Sequence, residues 1–155
     1  PTSTTTVIDA GTLESFLFNA YAARKGGTQS TGNAVRGGYR GSPGIGSTNF
    51  YLLPGGKGPD EIVSGLREAL YVTDLQGLHA AVNATTGDLS IPAKGIMIRG
   101  GEMAEPVQNM IIGGNLIDLL RGIEAVGSDL VWKSASGMIG VPTILTSPVK
   151  IGGRS

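Results

Sequence analysis

The segment Asp88-Leu-Ser-Ile-Pro-Ala-Lys-Gly-Ile-Met-Ile-Arg-Gly-Gly-Glu-Met-Ala-Glu-Pro-Val-Gln-Asn-Met-Ile-Ile112 decides the fold. Its apolar runs, at 88–91, 95–101 and 107–112, are too short for helices. Proline and paired glycines interrupt them, so they read as strands parted by turns. Working outward, Asn83-Ala-Thr-Thr-Gly87 supplies a turn before the first run. Leu70-Tyr-Val-Thr-Asp-Leu-Gln76 is a strand before that, and 77–82 is expected to continue it after a kink. Short strands joined by short turns predict an antiparallel meander.

The flanks add helices. Asn115 can cap one, with Leu116, Leu119, Leu120 and Ile123 facing inward. Pro59-Asp60-Glu61 suits the first turn of another, whose apolar stripe is Ile62, Val63, Leu66 and Ala69. Near the N-terminus a Thr-rich strand at 2–8 leads into a turn at Asp9-Ala10-Gly11. A helix over 12–25 is then expected, with Thr12 as N-cap and Leu13, Phe16, Leu17, Ala20 and Tyr21 on one face. Lys25-Gly26-Gly27 ends it, Arg24 and Lys25 complementing the carbonyl end of the dipole. Residues 26–48 form a long Gly-rich loop, and 48–53 read as a buried strand closed by Pro54-Gly-Gly. The tail holds strands at 129–132, 143–146 and 149–151, with a Gly/Ser turn over 134–140. The fold class is α+β: strand-rich, with a largely antiparallel sheet, about three helices and long Gly-rich loops.

Composition limits the chemistry. The 155 residues suit one domain with a sizeable core, and 40% hydrophobic content excludes a disordered tail. Glycine is over-represented, 26 residues where roughly 7% is usual, which means many tight turns. There is no cysteine and one histidine, His79. Disulfides, thiolate zinc sites and two-imidazole metal sites therefore cannot be built from this chain alone. No apolar run is long enough for a membrane helix, no signal peptide is evident, and a cytoplasmic location is expected.

Familiar catalytic motifs are missing. Gly56-Lys57-Gly58 has no hydroxyl where a phosphate loop needs one, and Gly41-Ser-Pro-Gly-Ile-Gly46 orders its glycines wrongly for a dinucleotide fingerprint. No Gly-x-Ser-x-Gly elbow exists, and His79 reads as a hydrogen-bonded structural residue before a catalytic base. Met97, Met103, Met110 and Met138 read as core filler. Charge sums to zero but is unevenly spread: between Glu14 and Asp60 lie Arg24, Lys25, Arg36, Arg40 and Lys57 and no acid. Arg36-Gly-Gly-Tyr-Arg-Gly is similar to segments that bind RNA, although in a neutral folded chain tight turns explain it better. A basic loop of this kind also suits an acidic ligand such as a peptide.

The order of short motifs resembles one family. Asp9-Ala-Gly-Thr-Leu, Ala22-Ala-Arg-Lys, Ser30-Thr-Gly-Asn-Ala, Ser47-Thr-Asn-Phe, Ala69-Leu-Tyr-Val and Asn83-Ala-Thr-Thr-Gly-Asp-Leu-Ser come first. Gly113-Gly-Asn-Leu, Val126-Gly-Ser-Asp and Lys150-Ile-Gly-Gly complete the series. Together they resemble the C-terminal region of the TldD/PmbA family of zinc metalloproteases, also described as modulators of DNA gyrase. Residues 1–155 are then expected to be the C-terminal domain, the N-terminal part of the family chain lying outside them. The resemblance implies that the TldD branch carries its zinc on an upstream H-E-x-x-x-H and a C-terminal cysteine. Here Ser136-Gly137-Met138-Ile139-Gly140 stands where that cysteine's turn is expected, which favours the PmbA (TldE-like) branch.

The expected role is accordingly a subunit domain forming dimer interface and peptide-channel wall for proteolysis of unfolded peptides. Zinc is expected in a TldD-like partner or upstream part, none in this chain, and the assembly is a homodimer or a heterodimer. No catalytic residue is expected here; Asn33, Arg36, Asn49, His79 and Ser136 are the cleft or interface candidates. Two rivals stand beside this reading: part of an active zinc peptidase subunit whose H-E-x-x-x-H lies upstream, and a non-enzymatic nucleic-acid-binding module using the Gly/Arg loop.

Overall fold

The computed structural model describes residues 3–135, 137–147 and 149–153, the side chains of Leu78, His79 and Ala135 excepted. The chain forms two compact units: Pro1–Leu52 with Val131–Val141, and Leu53–Leu130 with Pro142–Ser155. Elements are numbered along the whole chain.

The first unit contains β1 (Ile8–Asp9), β2 (Thr12–Leu13), α1 (Ala20–Lys25), β3 (Ala34–Val35), β4 (Gly44–Ile45), β5 (Asn49–Tyr51), β10 (Val131–Ala135) and β11 (Gly137–Val141). The helix expected over 12–25 is a correction. Ala10 (φ 46°) and Gly11 (φ 81°) are both left-handed, which reverses the chain and pairs Thr12 with Asp9 and Leu13 with Ile8. The Phe18 N–H is then claimed by the Thr31 hydroxyl at 2.8 Å, so the helix starts only at Asn19, whose side chain caps it. Its C-terminus matches expectation, with Arg24 and Lys25 in the last turn and Gly26 following. The expected Gly-rich loop holds a small antiparallel hairpin, β3 with β4.

Strand β5 is not buried: Asn49, Phe50 and Tyr51 are all exposed. It pairs in parallel with β11, which pairs antiparallel with β10, giving the order β10-β11-β5 with β5 at an edge. The turn expected over 134–140 is narrower than predicted, because β10 runs to Ala135 and β11 starts at Gly137. Met103 and Met138 are 47% and 39% exposed, so only Met97 and Met110 of the four methionines act as filler.

The second unit contains α2 (Pro59–Ser64), β6 (Glu68–Leu75), α3 (Leu78–Ala81), β7 (Asp88–Arg99), β8 (Glu102–Asn115), α4 (Leu116–Arg121), β9 (Ile123–Val126), β12 (Ile144–Thr146) and β13 (Lys150–Gly153). The predicted meander is here, antiparallel throughout, in the order β13-β8-β7-β6. Residues 88–91 and 95–99 are one strand. Pro92 does not break it, because its carbonyl accepts from the Gln76 N–H just past the end of β6, and the missing Pro N–H faces that same side. Along β7, Leu89, Ile91, Ala93 and Gly95 point inward while Ser90, Pro92 and Lys94 point to solvent. Gly100 (φ 60°) and Gly101 (φ 84°) turn it into β8 through a two-residue loop.

The core is Ala81, Leu89, Ile91, Ala93 and Ile112, with Val82, Leu119 and Val149 packed against it. Residues 78–81 are helical where a continued strand was expected, since the left-handed Gly77 (φ 65°) turns the chain and returns Ala81 to the sheet. Helix α2 buries Ile62 and Val63, but Ala69 belongs to β6. Helix α4 is capped by Asn115 as predicted, yet Leu116 and Leu120 stay exposed; six residues turn only Leu119 onto the core. With three six-residue helices, one four-residue helix and largely antiparallel sheets among the described residues, the protein is strand-rich α+β.

Candidate functional site

Asn19 organises the first unit. It is 7% exposed; its Oδ1 accepts from the Ala22 N–H at 2.8 Å and its Nδ2 donates to the Gly44 carbonyl at 3.3 Å. One buried amide therefore starts α1 and holds β4 against it. Thr31 and Asn33 fasten the other side: the Thr31 hydroxyl donates to Asn33 Oδ1 at 2.6 Å, and Asn33 Nδ2 donates to the Gly46 carbonyl at 3.2 Å. The Gly46 N–H returns a bond to the Asn33 carbonyl at 3.1 Å. These bonds turn a loop rich in glycine into a fixed hairpin, because all but the Thr31–Asn33 bond satisfy a backbone group.

The hairpin tip carries Arg36, Tyr39 and Arg40, all exposed, with Tyr39 at 81%. The Arg40 guanidinium lies 5.1 Å from the Tyr39 ring centroid. Four residues after β4 the chain enters β5. The Met138 N–H donates to the Thr48 carbonyl at 2.9 Å and the Leu52 N–H to the Gly140 carbonyl at 3.1 Å. The even-numbered backbone groups of β5 thus face β11, and the alternation turns those of Asn49 and Tyr51 to the opposite edge.

The register of β10, β11 and β5 sorts the sheet's side chains into two faces. One carries Phe50, Ile139, Val131 and Val141; the other carries Tyr51, Trp132 and Met138, with the Tyr51 and Trp132 rings 5.5 Å apart. All seven are between 39% and 49% exposed. Lys133 shares the first face and Asn49 and Ser134 the second, and large apolar side chains half-exposed on both faces are the pattern of a layer covered from both sides.

Of the candidate residues, Asn33, Arg36 and Asn49 lie in this unit and do not form one cluster. The Asn33 amide is spent inside the loop, Arg36 follows β3 at the tip, and Asn49 sits opposite Met138 in the register. Ser136 lies outside the described residues, as does the side chain of His79, whose backbone is in α3 of the second unit. Asn19 was missed, although an Asn before a helical run is the signal that marks a cap.

The second unit shows where several short motifs meet. A groove of about 600 Å³ is lined by Asp88, Gly113, Asn115, Asp118, Ser147 and Lys150 among others. Asp88 is already engaged: the Thr86 hydroxyl donates to it at 2.7 Å and Asn115 Nδ2 at 3.3 Å, and these bonds hold its carboxyl below the usual range. Asp129 is likewise held low by the Thr143 hydroxyl at 2.7 Å and the Thr143 N–H at 3.0 Å. Glu105 is lowered chiefly by hydrogen bonding from Arg99, which also reaches Glu68. Among the described residues no group of three His, Asp or Glu is placed to hold a metal. With no cysteine and one histidine, the donor set of the chain does not fit a zinc site. No helix among the described residues is long and apolar enough to cross a membrane.

Residues 1–153 match the family described as the PmbA/TldA metallopeptidase C-terminal domain. Over 148 residues the chain is 33% identical to metalloprotease PmbA of Escherichia coli O157:H7, covering 96% of this chain and 30% of that protein. It is 30% identical over 156 residues to the zinc metalloprotease TldD homolog of Saccharolobus solfataricus, covering 95% of this chain and 35% of that one. The crystal structure of TldE from Thermococcus kodakarensis superposes with a TM-score of 0.88 at 27% identity, over 99% of this chain and 34% of that one. The chain thus spans about a third of the length of these relatives.

Proposed function

Because the chain belongs to the PmbA/TldD metallopeptidase family, matching its C-terminal domain, we propose that it is a metal-free part of a peptidase assembly, giving a docking surface to another subunit or domain and one wall of a path for unfolded peptide. The observation that carries this reading is the β10-β11-β5 sheet, with large half-exposed apolar side chains on both faces and open along β5. Half-exposed Phe50, Tyr51, Trp132 and Ile139 call for a covering layer, and aromatic residues of this kind supply most of the energy where subunits meet. The outward backbone groups of Asn49 and Tyr51 suit strand addition by an extended peptide, which reads backbone and little side-chain sequence.

Zinc chemistry belongs in this proposal to a TldD-like subunit or to an upstream part, since relatives carry the name zinc metalloprotease while this donor set does not fit the metal. Asn33, Arg36, Asn49, His79 and Ser136 are the proposed cleft or interface residues; none is assigned a catalytic step. The test is elemental analysis of the intact assembly purified from its source, with subunit masses on the same sample. One zinc per pair of unlike chains is expected. One zinc per copy of this chain would overturn the metal-free assignment.

A further inference from the structure

The zero net charge of the chain conceals a division between its units. The first unit carries five basic side chains, Arg24, Lys25, Arg36, Arg40 and Lys133, against Asp9 and Glu14, a net of +3. The second carries seven basic and ten acidic side chains, a net of −3. Two of the first unit's cations, Arg36 and Arg40, flank the tip of the β3–β4 hairpin, and neither Asp9 nor Glu14 pairs with them. Tyr39 between them is exposed, its ring already against the Arg40 guanidinium. The hairpin is held at its base, where Asn19 bonds Gly44 and Asn33 bonds Gly46, so its two guanidiniums are carried on a fixed support.

We propose that this hairpin tip recognises carboxylate side chains of an extended peptide, giving the assembly a preference for acidic segments. The inference rests on the peptide-wall reading above and adds to it a substrate class. Guanidinium forks match carboxylates in pairs, and the Tyr39 ring sets an apolar face beside one of them. Arg40 precedes the start of β5 by nine residues in the same unit, so a peptide added to the β5 edge and one touching the tip address the same unit. A peptide suits the observations better than nucleic acid: two arginines and one aromatic ring meet one or two carboxylates, whereas a polyphosphate chain needs a longer basic track than this unit offers.

The experiment measures fluorescence anisotropy of two labelled extended peptides, one rich in Glu and its Gln counterpart, binding to the intact assembly at low salt. A third probe is a single-stranded oligonucleotide of the same charge as the Glu peptide. The wild type is expected to bind the Glu peptide about fivefold more tightly, as two exposed ion pairs imply. The R36Q/R40Q variant is expected to lose that preference and to bind the Glu and Gln peptides alike. Circular dichroism confirms its fold, which these exposed side chains do not support. Equal binding of both peptides by the wild type, a preference that survives in the variant, or an oligonucleotide that binds more tightly than the Glu peptide would each overturn the proposal. Failure of the Gln peptide alone to bind, with Glu-peptide binding still lost in the variant, sinks the backbone-reading wall and leaves the hairpin assignment standing.

Discussion

Replacing Asn19 by alanine removes two jobs at once. The helix loses its cap, since Oδ1 no longer accepts from the Ala22 N–H, and β4 loses the bond from Nδ2 to the Gly44 carbonyl. An N-cap is worth about 1 kcal/mol, and an intramolecular hydrogen bond adds about 1 kcal/mol net. Because Asn19 is 7% exposed, water does not replace either partner without a rearrangement. The sum of about 2 kcal/mol lowers the melting midpoint of a chain this size by roughly 6 °C. Asn19→Ser separates the contributions: a serine still caps the helix but does not reach Gly44, so it recovers about half the loss. The assay is thermal unfolding by calorimetry and circular dichroism on wild type, N19A and N19S. Hydrogen exchange at the Ala22 amide reports on the cap alone. The reasoning fails if N19A melts with the wild type, or if N19S is as unstable as N19A while the Ala22 amide stays protected in both.

Gly55→Ala is expected to destabilise by about 2 kcal/mol or more, read from urea midpoints, because a Cβ there runs into the Val126 carbonyl where Gly55 donates to Gly127 at 2.9 Å. Asp129→Asn tests the acid limb of stability. Its carboxyl is depressed in the folded state, so the stability it contributes is complete above the ordinary value of 3.8, declines as pH falls below that, and is gone beneath the depressed value. Urea midpoints from pH 7 to pH 3 are expected to fall less steeply in D129N than in wild type, and D129N is expected to be the less stable at pH 7. Trp132 is the single tryptophan and 41% exposed, so its emission is expected to shift to the blue when this chain joins its assembly; an unchanged spectrum removes the β10-β11-β5 sheet from the interface.

Much of the second unit was legible along the chain because its order is local. The turn at Asn83, the cap at Asn115, the Pro59 helix start and the antiparallel meander each rest on a few neighbouring residues. The errors came where a distant partner overrode a local preference. The stripe from Leu13 to Tyr21 has helical spacing, yet Thr31 takes the Phe18 N–H thirteen residues away and delays the helix. Pro92 looked like an end to a strand, and it continues because β6 has already ended on the side its nitrogen faces. The family was readable from nine short motifs, although none of them reveals which side chains meet.

By itself the sequence determined the class of fold, the family, and the absence of a thiolate or two-histidine zinc site, because composition and local pattern do not depend on long-range contacts. Only the tertiary structure decided that 48–53 is an exposed edge and not core, since a run such as Asn49-Phe50-Tyr51 is equally suited to either. Tertiary structure also decided that the basic loop is a pinned hairpin, because that depends on Asn19 meeting Gly44 and Asn33 meeting Gly46 across many residues. The physical reason is common to both cases: burial and hydrogen-bond partners are properties of pairs distant in sequence, and a linear pattern records only one member of each pair.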